Sequence, residues 1–332
     1  MLPNWRVLTT PTALSVSERL TQSTLLLVIL LTVSACALVD RSAFRTGAED
    51  HGPWQTTILD DHPLVGNIWQ QDTGSFISSD ALADALTRGN IVLLGEKHDN
   101  PDHHRLRLAL LQQLLTRQHI SVLALEMLTG EQLPLVEAET LHEQLQWDDG
   151  WHWPFYQPVL ELALATPGTK LRSANITHEQ MMAVYGGELG DHTGAAIDRA
   201  LSQTQLEVLS EDIDISHCGL LPDSQFEAMV RVQQVRDHTM AQALASVPTA
   251  ARDGLRILLA GNYHVRHDVG VPNYLPTTVD RPITVAFLEV VDGQYDPQGY
   301  QRRVDGHAAW DFIWFTPALT DEDYCERMAG GT

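Results

Sequence analysis

The stretch "IVLLGEKHDNPDHHRLRLALLQQLL", residues 91–115, decides the fold. Its first four residues form a short apolar run, the length and composition of a strand buried on both faces. From Pro101 onward, apolar residues recur at helical spacing, so 101–117 reads as an amphipathic helix. Asp99 or Asn100 supplies the N-cap, and Pro101 sits at the first helical position, where its missing N–H costs nothing. Between strand and helix lie Glu96, Lys97 and His98, with His103 and His104 in the helix's first turn.

The same alternation runs outward through the chain. "SVLAL" (121–125), "KLRSA" (170–174), "LRILLA" (255–260) and "ITVAFL" (283–288) read as strands. Helix-period segments over 130–145 and 223–246 separate several of them. Strands alternating with helices imply a mainly parallel sheet covered on both faces, an α/β fold. "LVGNIW" (64–69) and "SFIS" (75–78) predict a hairpin leading in, followed by a helix capped by Ser79 and closed by Gly89. A late strand, "DFIWF" (311–315), is expected at an edge. The expectation is one α/β domain over 61–328 with a helical insertion near 176–250.

The 21 basic and 43 acidic residues leave a net charge of −22, which argues against nucleic acid as a partner. Arg6 and Arg19 precede "STLLLVILLTVSAC" (23–36), an apolar run too short to span a bilayer and suited to a signal-peptide core. Small residues before Cys36 resemble a bacterial lipobox, in which Cys36 is lipidated and residues 1–35 are removed. Residues 36–60 then read as a flexible tether, and the protein as lipid-anchored on the periplasmic side of a bacterial envelope membrane. Ala37 after the cysteine favours outer-membrane sorting. Cys218 and Cys325 are left either as one disulfide or as two separate thiols.

Polar residues gather where the strands end. Glu96, Lys97 and His98 follow the first, Glu126 the second and Asn175 the third. Gly261, Asn262, Tyr263 and His264 follow the fourth, with Arg266 and Asp268 beyond. Ligands of open α/β sheets bind beyond the carboxyl ends of the strands, so Glu96, His98, Glu126, Asn175, His264 and Arg266 are expected around one crevice. A pairing with Arg266 would satisfy Glu126 structurally. His103 and His104 are expected on a solvated face, as are Glu211, Asp212 and Asp214. Gly95 and Gly261 read as turn glycines, giving positive φ or close backbone approach. Five aromatics crowd residues 147–156, either as a core plug or subunit contact, or as the wall of a pocket for a flat apolar ligand with Tyr156 as its polar tip.

With these residues placed, the sequence resembles the ChaN family of haem-binding lipoproteins. The matching strings are "LLGEKHDNPDHH", "LALEM", "WHWPFYQP", "SANIT", "SHCGLLP", "MVRVQQVRDHTMA", "LLAGNYHVRHDVGVPNYL" and "DFIWFTP" with "DEDYCE". They run in order from about 61 to 328. The resemblance implies an iron-uptake lipoprotein that binds b-type haem non-covalently at a homodimer interface and exchanges it with a haem receptor or transporter. It implies a tyrosine of one subunit on the iron, and a histidine and a lysine of the other on the propionates. Haem-binding candidates are therefore Tyr156, Tyr263, Lys97, His98 and His264, with Tyr185 and Tyr274 behind them. A phenolate suits ferric iron, and Lys97 would donate to a propionate.

The wider superfamily, with Tiki-type proteases and erythromycin esterases, keeps a second reading open. In it Glu96, His98, Glu126 and His264 bind a divalent metal such as zinc, or activate water without one, in a hydrolase. A third reading is a non-catalytic envelope protein whose aromatic stretch is a partner surface.

Overall fold

The computed structural model describes residues 52–130, 140–189, 191–245, 254–322 and 324–329. The signal peptide, the lipobox and the start of the tether lie outside them, as does most of the helix expected over 130–145. Eight strands form one sheet. In chain order they are β1 (Ile68–Gln70), β2 (Ser75–Ile77), β3 (Ile91–Leu94), β4 (Ile120–Thr129), β5 (Lys170–Asn175), β6 (Leu255–Leu259), β7 (Ile283–Glu289) and β10 (Phe312–Thr316). The two-residue strands β8 (Arg303–Val304) and β9 (His307–Ala308) pair separately. Order across the sheet is β2-β1-β10-β7-β3-β6-β4-β5, with β1 antiparallel to both neighbours and every other pair parallel.

The late strand is therefore interior. The β1–β2 hairpin covers the side of β10 that was expected to be free, and all five β10 residues are buried. β5 forms the opposite edge.

Helices cover both faces, as the continuous apolar strands require. Ile257 of β6 joins one buried cluster with leucines of α1 (Ser79–Leu86) and α2 (Pro101–Arg117) and with Val159 and Leu160 of α4 (Trp153–Ala165). Its neighbour Arg256 points the other way and donates to the Leu244 carbonyl of α8 (Asp223–Ala245). The short α3 spans Leu141–Gln144. The insertion between β5 and β6 holds α5 (His178–Tyr185), α6 (Asp191–Ile197), α7 (Gln203–Ser216) and α8.

Local chemistry sets the boundaries. Asn100 caps α2, its side chain accepting from the Asp102 and His103 amides. Helix α1 is capped by Ser78, one residue before the expected Ser79, and its C-cap is Thr87. The Asp102 carboxylate is fully buried and accepts from the Gln55 and Thr56 amides and the Thr56 hydroxyl. The chain is thus fastened ahead of residue 61, where the tether was expected to end. Cys218, just past α7, is disulfide-bonded to Cys325 in α9 (Tyr324–Ala329), with Cα atoms 5.3 Å apart.

Candidate functional site

The turn after β3 and the turn after β6 lock together. The Asn262 amide donates to the Glu96 carbonyl at 2.9 Å, and its side chain bridges to the Phe287 backbone. Gly95 permits this approach, since a Cβ there would sit 2.1 Å from Asn262 Oδ1. Gly261 lies similarly close under His98, where a Cβ would come within 3.0 Å of Nε2. Neither glycine has positive φ, so close approach is what both supply.

On this platform a hydrogen-bonded row of acids and imidazoles forms. Asp237 of α8 holds His264 Nδ1 at 2.5 Å, and His264 Nε2 faces Glu126 Oε1 at 3.3 Å. The other Glu126 oxygen accepts the Gly261 amide at 2.8 Å and lies 3.8 Å from His98 Nε2. His98 Nδ1 contacts Glu96 Oε1 at 2.7 Å. Glu96 also accepts the Tyr156 hydroxyl at 2.6 Å and is ion-paired with Arg107 of α2.

Burial would push the His264 imidazolium down, but the flanking Glu126 and Asp237 carboxylates raise it to about 10. Burial pushes Glu126 up, and His264, His98 and the Gly261 amide more than reverse this, holding its carboxyl well below the usual range. Burial raises Asp237 to about 6 against the pull of His264. His98 is lowered, mainly by burial. His264 therefore carries the proton between two carboxylates, while His98 keeps a neutral ring whose Nε2 adjoins the cavity.

Above the row opens a cavity of about 810 Å³, within the roughly 300–1,000 Å³ range of ligand sites. Trp151, Phe287, Trp310, Leu209 and Ile213 supply apolar walls. Lys97, Arg236, Arg266 and Arg302 supply cations. Tyr263 stands in the wall, 52% exposed, with the Arg266 guanidinium 5.7 Å from its ring centre. Burial and Asp212 raise its phenol, with Arg266 and Arg302 opposing. Apolar walls, cations and accessible phenol and imidazole atoms fit a large flat ligand bearing anionic groups, and so fit haem.

Of the expected crevice residues, Glu96, His98, Glu126, His264 and Arg266 line this cavity, as does Lys97. Asn175 does not; at the edge strand, its side chain accepts the Ile176 amide. Tyr156 is fully buried beneath the site, its hydroxyl committed to Glu96, so it cannot reach a large ligand. Burial raises that phenol above its ordinary range. Tyr274 is buried, and neither it nor Tyr185 lines the cavity.

The expected Glu126–Arg266 pair is absent. Arg266 forks instead onto Asp268 and Asp212, at 2.7 and 2.6 Å, while Glu126 takes the histidines. Asp212 is consequently buried rather than solvated, and Arg302 also pairs with it. His103 and His104 are buried too. The first accepts the Lys97 amide and meets Thr316, and the second meets the His98 carbonyl and stacks on Phe155. Burial lowers His104 to about 4, so it stays neutral. Among the described residues, no group of three His, Cys, Asp or Glu is arranged to hold a metal ion. The four residues of the metal alternative are engaged with one another and with Asp237, Arg107, the Tyr156 hydroxyl and the Gly261 amide.

Sequence reasoning missed Arg107, Asp237 and Arg236. The signal was helical spacing. His104, Arg107 and Leu111 share one buried stripe of α2, and Gln233, Arg236 and Asp237 share the side of α8 that lines the cavity.

A family model described as haem-binding uptake, Tiki superfamily, ChaN matches residues 82–275, more than half of the chain. Among solved structures, one described as cofacial heme binding to ChaN of Campylobacter jejuni is 22% identical, with a TM-score of 0.57, covering 74% of this chain and 95% of that one. A mutant erythromycin esterase, EreC, in its open conformation is 14% identical at a TM-score of 0.40, covering 74% and 95%. The type III effector HopBA1 is 13% identical at 0.39, covering 72% and 93%. No curated protein matches.

Proposed function

The chain belongs to the haem-binding uptake family ChaN of the Tiki superfamily, and from that premise we propose that it binds haem in the cavity at the carboxyl ends of β3, β4, β6 and β7. The observation that carries this reading is the cavity itself, which joins aromatic walls to a cationic rim and one half-exposed phenol, Tyr263. Tyr263 is the proposed iron ligand, with His98 as the alternative donor. The haem is held non-covalently, as a b type, because Cys218 and Cys325 are consumed by their disulfide.

The exposure of Tyr263 at the mouth suits a homodimer in which two copies meet around their ligands. Lipidation of Cys36 would anchor the protein to the outer membrane on its periplasmic face. There it would take haem from, or deliver it to, a receptor or transporter in iron uptake.

Hemin titrated into the purified full-length protein is expected to give a saturable shift of the Soret band and, in sedimentation, a move from monomer to dimer. Tyr263→Phe should alter the spectrum and weaken binding at least about tenfold, roughly 1.4 kcal/mol. No Soret change at micromolar hemin would end this reading.

One observation favours a hydrolytic second reading without metal. Glu96 fixes His98 through Nδ1, leaving Nε2 at the cavity as a general base for water. A panel of esters and peptides tests it. Turnover that His98→Gln lowers by about 10²–10⁴ would support it, and no turnover by the wild type would dismiss it.

A further inference from the structure

Four lysine and arginine side chains line the cavity, and three are paired with carboxylates. Lys97 Nζ bridges both oxygens of Glu289 at 3.1 and 2.9 Å. Arg266 holds Asp212 and Asp268, and Arg302 holds Asp212 and Glu211. Arg236 differs from all of them. Among the described residues no carboxylate lies within ion-pair distance of its guanidinium. Its Nη2 has only the Met181 thioether, 3.4 Å away, which is a weak acceptor. Its Nε is buried and has no acceptor. Asp237, the next residue, feels the charge of Arg236 but spends its carboxylate on His264.

A partly buried guanidinium whose Nε is unpartnered and whose Nη2 has only a weak acceptor costs stability that a bound anion would return. The position of Arg236 defines that anion. It stands on α8 beside Gln233, on the wall of a cavity that α7 lines with Leu209 and Ile213. An anion reaching Arg236 must therefore be carried by an apolar body. A planar fork of N–H donors matches a carboxylate in bidentate fashion, and a single spare positive charge matches a single negative one better than a phosphate's two.

We infer that Arg236 is the carboxylate anchor of the cavity, seating the acid group of a flat apolar ligand. Resting on the haem reading, this makes Arg236, rather than Lys97, the residue that receives a propionate. Lys97 would have to release Glu289 to do so, whereas Arg236 has, among the described residues, only the Met181 thioether to release.

The experiment compares wild type with Arg236→Met and Arg236→Lys, as full-length protein, binding hemin, iron-free protoporphyrin and hemin dimethyl ester. Quenching of tryptophan fluorescence reads all three, since Trp151 and Trp310 line the cavity. Circular dichroism and thermal melts check that the variants fold. Arg236→Met is expected to weaken hemin and protoporphyrin roughly ten- to hundredfold and to leave the dimethyl ester unchanged. Arg236→Lys should recover part of the loss, because it restores charge without the fork. Unchanged hemin affinity in Arg236→Met would overturn the inference, and so would equal losses for acid and ester, which would reduce Arg236 to packing. A wild type that binds no porphyrin would fail the haem reading separately. The anchor is then read with an anthracene carboxylic acid against its methyl ester, and equal affinity for the two would overturn it.

Discussion

Replacing Arg107 with methionine is expected to remove about 3–5 kcal/mol of folding stability, the largest single effect available in the site. Arg107 and Glu96 are each wholly screened from solvent, with side-chain exposures of 0% and 0%, and they pair directly. Burial lowers the guanidinium to about 10, which leaves it protonated at neutral pH. Without it, Glu96 would keep the Tyr156 hydroxyl and the His98 ring but would carry a buried charge with no strong cation. The loss is a large fraction of a native protein's total stability, about 5–15 kcal/mol. Urea denaturation measures it. Glu96→Gln together with Arg107→Met should recover most of the loss, because the pair is then removed as a unit. A single-substitution cost below about 1 kcal/mol would show that Glu96 does not depend on Arg107.

The second large effect is a loss of stability on the alkaline side. His264 has its folded-state value raised from 6.5 to about 10. Below pH 6.5 both folded and unfolded chains hold the proton, and the contribution is fully present. Above that the unfolded imidazole gives up its proton first, and stability falls as pH rises toward 10. At about 1.36 kcal/mol per pH unit, the loss is at most about 5 kcal/mol. The urea midpoint should therefore decline from pH 7 to pH 10. In His264→Gln the protein should be weaker at pH 7 and its midpoint nearly flat over the same interval. Asp237, raised to about 6, titrates below this window and does not confound it. Parallel curves for wild type and variant would show that the proton does not reside on His264.

The residues behind these two effects were unequally legible in the linear sequence. The strands were legible because each is a short apolar run bounded by turn residues, and the α2 start was legible from Asn100 and Pro101. Glu96, His98, Glu126 and His264 were legible as a set because parallel strands carry their carboxyl ends to one side. The place of β10 was not, since an interior and an edge strand of five apolar residues read alike until the β1 pairing is known. Arg107 was hidden for another reason. A charged residue in a helix is usually solvated, and only the buried faces of His104 and Leu111 on the same stripe mark it otherwise. Tyr156 read as a pocket tip because its aromatic neighbours do approach the cavity at Trp151, while its own hydroxyl turns inward to Glu96.

The Cys218–Cys325 bond closes a ring of chain, with a sequence separation of 107, and the ring divides the cavity's makers into two groups. Arg236, Asp237, His264, Arg266, Arg302 and Trp310 belong to the ring, whereas Glu96, His98, Glu126 and Trp151 precede it. A single peptide cleavage anywhere inside the ring would leave both groups in one covalent molecule, still joined through sulfur. For a cut within the ring, the chain parts into two molecules only when the disulfide is reduced as well.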